Sequence, residues 1–244
     1  MKKAIDHDHL HRVPLRRSRL QAADRIDPAS THAWVSTISP QGIANIAPIS
    51  FFTCVGRRPP MISISLQPRA DGVSLKDTFT NIRDTGEFVV NMATVPNSDA
   101  VHRSAYEFAP EEDEFDLLGL EKAACEVISV PRVATAPIAY ECKVDRIIAV
   151  NEVEHVVWGK IARFHVRDDL YLERGRIDTA ALAPVGRLAA EYTYVENAFT
   201  TPLPEETLAA VNGTRMRRID GLDTNFSPID TPLWSPSGST KPSE

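Results

Sequence analysis

Ile138 to Val150 and Glu154 to Val166 are two long strand patterns around Asn151 and Glu152. A period of two places every second side chain on the same face of a pleated strand. Two such runs about a short polar turn read as an antiparallel hairpin, which commits the chain to an antiparallel sheet. Upstream, Ala33-Trp34-Val35-Ser36-Thr37-Ile38-Ser39 alternates apolar and polar residues. Pro40-Gln41-Gly42 is a turn, and residues 43 to 53 continue as the second strand of another hairpin. Gly56 to Pro60 is a loop. Met61 to Gln67 is a further strand with Ser63, Ser65 and Gln67 on one face. Phe88 to Met92 adds another strand.

Helical patterns are fewer. After Ser74, Leu75, Phe79 and Ile82 fall at i, i+4 and i+7, one apolar stripe. Ser74 with Asp77 three residues on has capping-box spacing, and Gly86 stands where a helix C-cap belongs. Residues 97 to 107 read as a second helix. The acidic run at 109 to 118 reads as a solvated loop. The sum is a mainly β domain, most simply a closed barrel with helical insertions. Its boundaries are residues 31–199, between an N-terminal arm (1–30) and a Pro/Ser-rich C-terminal extension (200–244). Residues 187 to 195 add a short terminal segment.

Bulk properties narrow the function. A net charge of −6 lacks the basic footprint that nucleic acid demands. No apolar run is long enough to span a bilayer, and the polar N-terminus has no signal-peptide core, so a cytoplasmic protein is expected. Cys54, Cys125 and Cys142 are too widely spaced for a zinc site or a disulfide framework and read as reduced core thiols. His102, His155 and His165 form no metal-binding spacing. Trp34 and Trp158 read as core or interface aromatics. With 11 glycines and no Walker loop, nucleophile elbow or GxGxxG, glycine-cradled phosphate binding is a poor candidate.

Two segments can still carry chemistry. A helix start presents free N–H groups and a positive dipole end to a phosphate. Lys76, Thr78 and Asn81 add donors there, and Ser65 and Gln67 can reach the same place from the preceding strand. Asp77 would repel a phosphate it faced, and its expected job is the cap or a backbone hydrogen bond. An ordinary capped surface helix fits the same residues. In Asn45 to Phe52, Pro48 removes a ladder donor, which implies an edge, a bulge or a bend. A bend frees backbone groups at Ala47, Ser50 and Phe51 to pair with the edge of a flat polar ring. A bulged strand serving only the barrel fits equally.

The order of these pieces resembles a known family. Ala33-Trp34-Val35-Ser36-Thr37-Ile38-Ser39, Asn45-Ile46-Ala47-Pro48-Ile49-Ser50-Phe51-Phe52, Pro59-Pro60, Lys76-Asp77-Thr78 and Asn81-Ile82 are followed by Gly86-Glu87-Phe88-Val89-Val90-Asn91. His155-Val156-Val157-Trp158-Gly159-Lys160-Ile161 and Pro184-Val185-Gly186-Arg187-Leu188 with Tyr192 continue the match. Together they are similar to the flavin reductase-like, flavoredoxin-type FMN-binding split barrels, over about residues 20 to 195. The resemblance implies a six-stranded antiparallel Greek-key split barrel, a homodimer, and FMN near the dimer interface. By position, Asn45, Ala47, Pro48, Ser50 and Phe51 would line the flavin ring, while Ser65, Gln67, Lys76, Asp77, Thr78 and Asn81 would surround the ribityl phosphate. Arg187 would lie near the ring or the nicotinamide, and His155 is the candidate for a catalytic role. The implied activity is hydride transfer from NADH or NADPH to FMN, with a small-molecule acceptor or a partner oxygenase downstream. An FMN electron carrier without its own nicotinamide reaction is the alternative.

Overall fold

The computed structural model describes residues 32–172, 176–188 and 191–194. The proposed N-terminal arm and C-terminal extension lie outside the described residues.

The strands are β1 (Ala33–Ile38), β2 (Ala44–Ile49), β3 (Phe52–Arg57), β4 (Pro60–Leu66) and β5 (Glu87–Met92). Two-residue strands β6 (Lys122–Ala123) and β7 (Arg132–Val133) precede the long pair β8 (Ile138–Ala149) and β9 (His155–Val166). Helix α1 (Asp77–Thr85) lies between β4 and β5, and α2 (Ser98–Arg103) and α3 (Glu114–Leu118) follow β5. After β9 come β10 (Tyr171–Leu172), β11 (Arg176–Ile177), α4 (Thr179–Leu182), β12 (Val185–Leu188) and β13 (Glu191–Tyr194), with β12 and β13 paired as a hairpin.

The main sheet runs β2-β1-β5-β8-β9-β4-β3, with every pairing antiparallel. Its two edge strands, β2 and β3, are consecutive in the chain, joined by Ser50 and Phe51 alone. Counting along the sheet, they also point the same way. They are therefore one bent strand that pairs with β1 before the bend and β4 after it, so the seven segments make six strands around a barrel. The Ser65 N–H donates to the Phe51 carbonyl at 2.9 Å, which ties β4 to the bend. The first three strands are sequential neighbours, and β5 returns through α1 to lie beside β1, the Greek-key order.

Alternation explains the pairing. In β4, Ile62, Ile64 and Leu66 are buried, while Met61, Ser63 and Ser65 on the other face are half-buried. The barrel core gathers Val35, Ile62, Ile64, Phe88, Val90 and Tyr140, and Phe79 and Ile82 of α1 plug it. A second cluster, on the outer side of β1 and β2, packs Trp34 and Ile46 against Val101, Phe115 and Leu118. Trp34 is fully buried and donates to Ser104 Oγ at 2.8 Å. Gly159 of β9 is required by packing, because a Cβ there would come within 2.5 Å of the Phe88 ring.

Three expectations change. Helix α1 starts at Asp77, with Lys76 as an N-cap residue that makes no side-chain cap, so Ser74 and Asp77 form no capping box. Ser74 belongs instead to a turn: its N–H donates to Asp71 Oδ1 at 2.8 Å, and its carbonyl accepts the Arg69 N–H at 2.8 Å. The helix expected over 97–107 stops at Arg103, after which Ser104 to Phe108 run irregularly. The acidic run is a solvated loop only over its first part, where residues 109–112 are exposed. Asp113 caps α3 by accepting the N–H groups of Phe115 and Asp116, and Glu114 is buried. The expected C-cap does form: Gly86 is left-handed at φ 72°, and its N–H donates to Ile82 O.

Candidate functional site

The arm of the bent strand before the bend, β2, and the start of α1 meet at a recess. Asn45, Ala47 and Pro48 of β2 form one wall, and Lys76, Asp77 and Thr78 form the opposite one. Arg69, Ser104 to Phe108 and Glu114 complete its lining. Pro48 sits opposite Trp34, where it donates nothing to the ladder.

Helix geometry supplies anion-binding capacity on the α1 side. The N–H groups of Phe79 and Thr80 close onto the Lys76 carbonyl, while the amides before them precede the first intrahelical bond. Asp77 does not stand alone there. Arg69 Nη2 donates to Asp77 Oδ2 at 2.5 Å, and Nη1 and Nη2 each donate to the Phe108 carbonyl at 3.3 Å. Burial raises the Asp77 carboxyl above its ordinary range, and the Arg69 guanidinium offsets part of that. The Arg69 guanidinium neutralises the carboxylate that would otherwise repel a phosphate.

Other expected residues are placed differently. The Thr78 side chain is buried, and its Oγ1 donates to the Asn45 side-chain oxygen at 3.1 Å. Asn81, also buried, donates to Thr37 Oγ1 at 3.1 Å and lines a second recess beyond Asn45 and Asp77. Both tie α1 to the sheet. Ser50 and Phe51 are exposed at the bend, Phe51 by 63%. Gln67 Nε2 lies 3.4 Å from Ser65 Oγ at the end of β4. None of Ser50, Phe51, Ser65 or Gln67 lines the recess between β2 and α1.

His155 is not brought to that recess either. It opens β9 opposite Leu66 and stacks on Phe79, ring centroids 3.8 Å apart. Arg187, on β12, lies over the Tyr192 ring at 4.7 Å and beside His32. His32 is buried and held at a pKa of about 4, first by burial and then by the Arg187 charge.

Two site residues escaped the sequence reading. Arg69 sits in a loop with no periodic pattern. Glu114 was hidden among acidic neighbours, although it directly precedes Phe115, whose burial turns α3 inward. Glu114 Oε2 accepts the Ile46 N–H at 2.8 Å. Burial, with the Asp77 charge adding to it, raises its pKa to about 7.

Away from the recess, Cys125, Glu141 and His165 bring one ligand-type atom each within 4.8 Å of the others. Glu141 is fully buried, and its oxygens accept the Glu126 and Val127 N–H groups at 2.8 Å. His165 Nε2 lies 2.6 Å from Glu141 Oε1. These bonds clamp the loop before β7 onto β8 and β9. The nearby Arg132 charge opposes a bound cation, and burial pushes the Cys125 thiol up to about 12.

A six-stranded Greek-key barrel with one bent strand, and a recess between the first arm of that strand and a helix start, defines the class of FMN-binding split barrels. The flavin reductase like domain matches residues 28–181, and the chain belongs to that family. A protein of Aquifex aeolicus is 38% identical over 159 residues, which span 65% of this chain and 80% of that one. Among solved structures, nitrilotriacetate monooxygenase component B from Bacillus cereus is similar at 31% identity and TM-score 0.65, covering 82% of this chain and all of that one (100%). The 2-nitrobenzoate 2-nitroreductase of Pseudomonas fluorescens is similar at 27% identity and TM-score 0.62, covering 80% and 98%.

Proposed function

We propose that this chain is an FMN-dependent oxidoreductase that takes hydride from NADH or NADPH, working as a cytoplasmic homodimer. One observation carries the reading: the bent strand and the start of α1 share one recess, with β2 backbone on one side and Lys76 plus helix amides on the other. That donor set fits FMN, since a flavin needs a polar backbone edge and its phosphate needs donors and positive charge.

When bound, FMN supplies the hydride-accepting centre, so the protein needs no acid–base dyad for that step. The residues of the chain bind and orient. Lys76 and the first amides of α1 would hold the phosphate, Arg69 neutralises Asp77 beside them, and Ala47 and Pro48 would line the ring. Phe51, 63% exposed at the bend, and Val150, 60% exposed at the β8–β9 tip, are apolar surface that a second copy would cover.

The downstream acceptor is free flavin, a partner oxygenase or a small oxidised compound. Steady-state oxidation of NADH and NADPH by the FMN-loaded protein tests the activity. FMN retained through gel filtration, with neither nicotinamide oxidised, would assign the chain to electron carriage instead.

A further inference from the structure

Two recesses share Asn45, Asp77 and Glu114 in their linings and differ in charge. The first, between β2 and α1, has Lys76 and Arg69 in its lining, and Arg69 is committed to Asp77 and the Phe108 carbonyl. The second is lined by Asp77, Asp84, Glu112 and Glu114, with no Lys or Arg among the described residues. Its volume is about 180 Å³, against about 70 Å³ for the first. Space is therefore the weaker barrier to a ligand that extends past Asp77, and charge is the stronger.

Most of that charge comes from one stretch of chain. Glu107, Glu111, Glu112 and Glu114 lie close together in the sequence. The charges of Glu107 and Glu111 both reach Asp77 and oppose its ionisation. Several of the carboxyl groups are offset. Arg69 binds Asp77, Arg83 binds Asp84 at 2.7 Å, and burial holds the Glu114 pKa at about 7. Glu107 and Glu112 are different. Among the described residues neither has an ion-pair partner. Each carboxylate is held by a backbone N–H instead, that of Ala70 at 2.6 Å for Glu107 and that of Ala109 at 2.9 Å for Glu112. Glu107 lines the first recess and Glu112 the second.

A short and a long flavin meet this arrangement differently. FMN ends at its phosphate, so Lys76 and the first amides of α1 face all of its added charge. A flavin dinucleotide carries a second phosphate and an adenosine beyond the first. Along either recess that second phosphate meets a carboxylate with no cation bound to it. Discrimination then comes from repulsion of the longer ligand as well as attraction of the shorter one.

Resting on the FMN reading above, we infer that Glu107 and Glu112 are specificity-determining residues that reject flavins extended beyond the first phosphate, FAD in particular, and leave the site to FMN.

Calorimetric titration of the full chain with FMN and with FAD, at low ionic strength, measures the selectivity. The double variant Glu107→Gln, Glu112→Gln removes both charges, while its amide oxygens can still accept from Ala70 and Ala109. FMN binding by the variant reports that it is folded. The wild type should bind FMN at least about tenfold more tightly than FAD. The double variant should lower that ratio by about three- to tenfold through a gain in FAD affinity, the size expected of two exposed charges. Each single variant should show part of the same change. An unchanged ratio in the variants, or equal affinity for FMN and FAD in the wild type, overturns the inference. A wild type that binds neither flavin overturns the FMN reading as well, and is a distinct result.

Discussion

Arg69 and Asp77 meet in the lining of the recess, Nη2 to Oδ2 at 2.5 Å, each about four-fifths buried. The pair joins a turn to the first residue of α1 and removes a negative charge from the place where a phosphate would sit. Arg69→Ala leaves Asp77 unpaired there. FMN affinity should fall by at least about tenfold, equivalent to about 1.4 kcal/mol. Adding Asp77→Asn should recover most of the loss. Fluorescence titration of FMN against the single and double variants measures both.

Lys76 should act on the ligand more than on the fold, because its side chain makes no cap for α1. Lys76→Ala should weaken FMN by about 1.5–3 kcal/mol, the range for a hydrogen bond to a charged group. The melting temperature of the ligand-free protein should stay near that of the wild type. Unchanged FMN affinity would place the phosphate elsewhere.

Glu114 makes stability depend on pH with a definite sign. Its folded pKa of about 7 lies above the ordinary value of 4.5. Between those values the folded chain holds a proton that the unfolded chain has released. Stability therefore falls as pH rises through that window and levels off above it, by at most about 3 kcal/mol. Urea unfolding of the wild type and Glu114→Gln at a series of pH values should show this slope in the wild type alone.

Gly159 allows β9 to cross the Phe88 ring. Gly159→Ala would set a Cβ 2.5 Å from Phe88 Cζ in a fully buried site. Overpacking of this kind costs about 1–3 kcal/mol, read as a lower denaturant midpoint. Phe88→Leu in the same chain should recover part of it.

The long hairpin, the β1–β2 hairpin and the apolar stripe of α1 were legible in the sequence because alternation and periodicity are local. Pro48 implied an edge, a bulge or a bend: it lies in register on the edge strand β2, and the bend falls two residues on, at Ser50 and Phe51. What the sequence concealed depends on distant partners. Glu114 looks like its acidic neighbours, and only the docking of α3 beneath the Ile46 N–H makes it a buried acid. Thr78 and Asn81 have the chemistry of phosphate ligands, yet their side chains reach Asn45 and Thr37 across the fold. Arg69 carries no pattern, because a turn whose ends are tied by the Arg69–Ser74 backbone bond determines where it points.

The most direct test is the absorbance spectrum of the FMN-loaded protein, recorded anaerobically before and after NADH and then NADPH. The account predicts a visible flavin band that bleaches with at least one nicotinamide. A band that persists with both and bleaches only with dithionite would contradict the reductase activity. A protein that shows no flavin band and takes up no added FMN would contradict the account at its root.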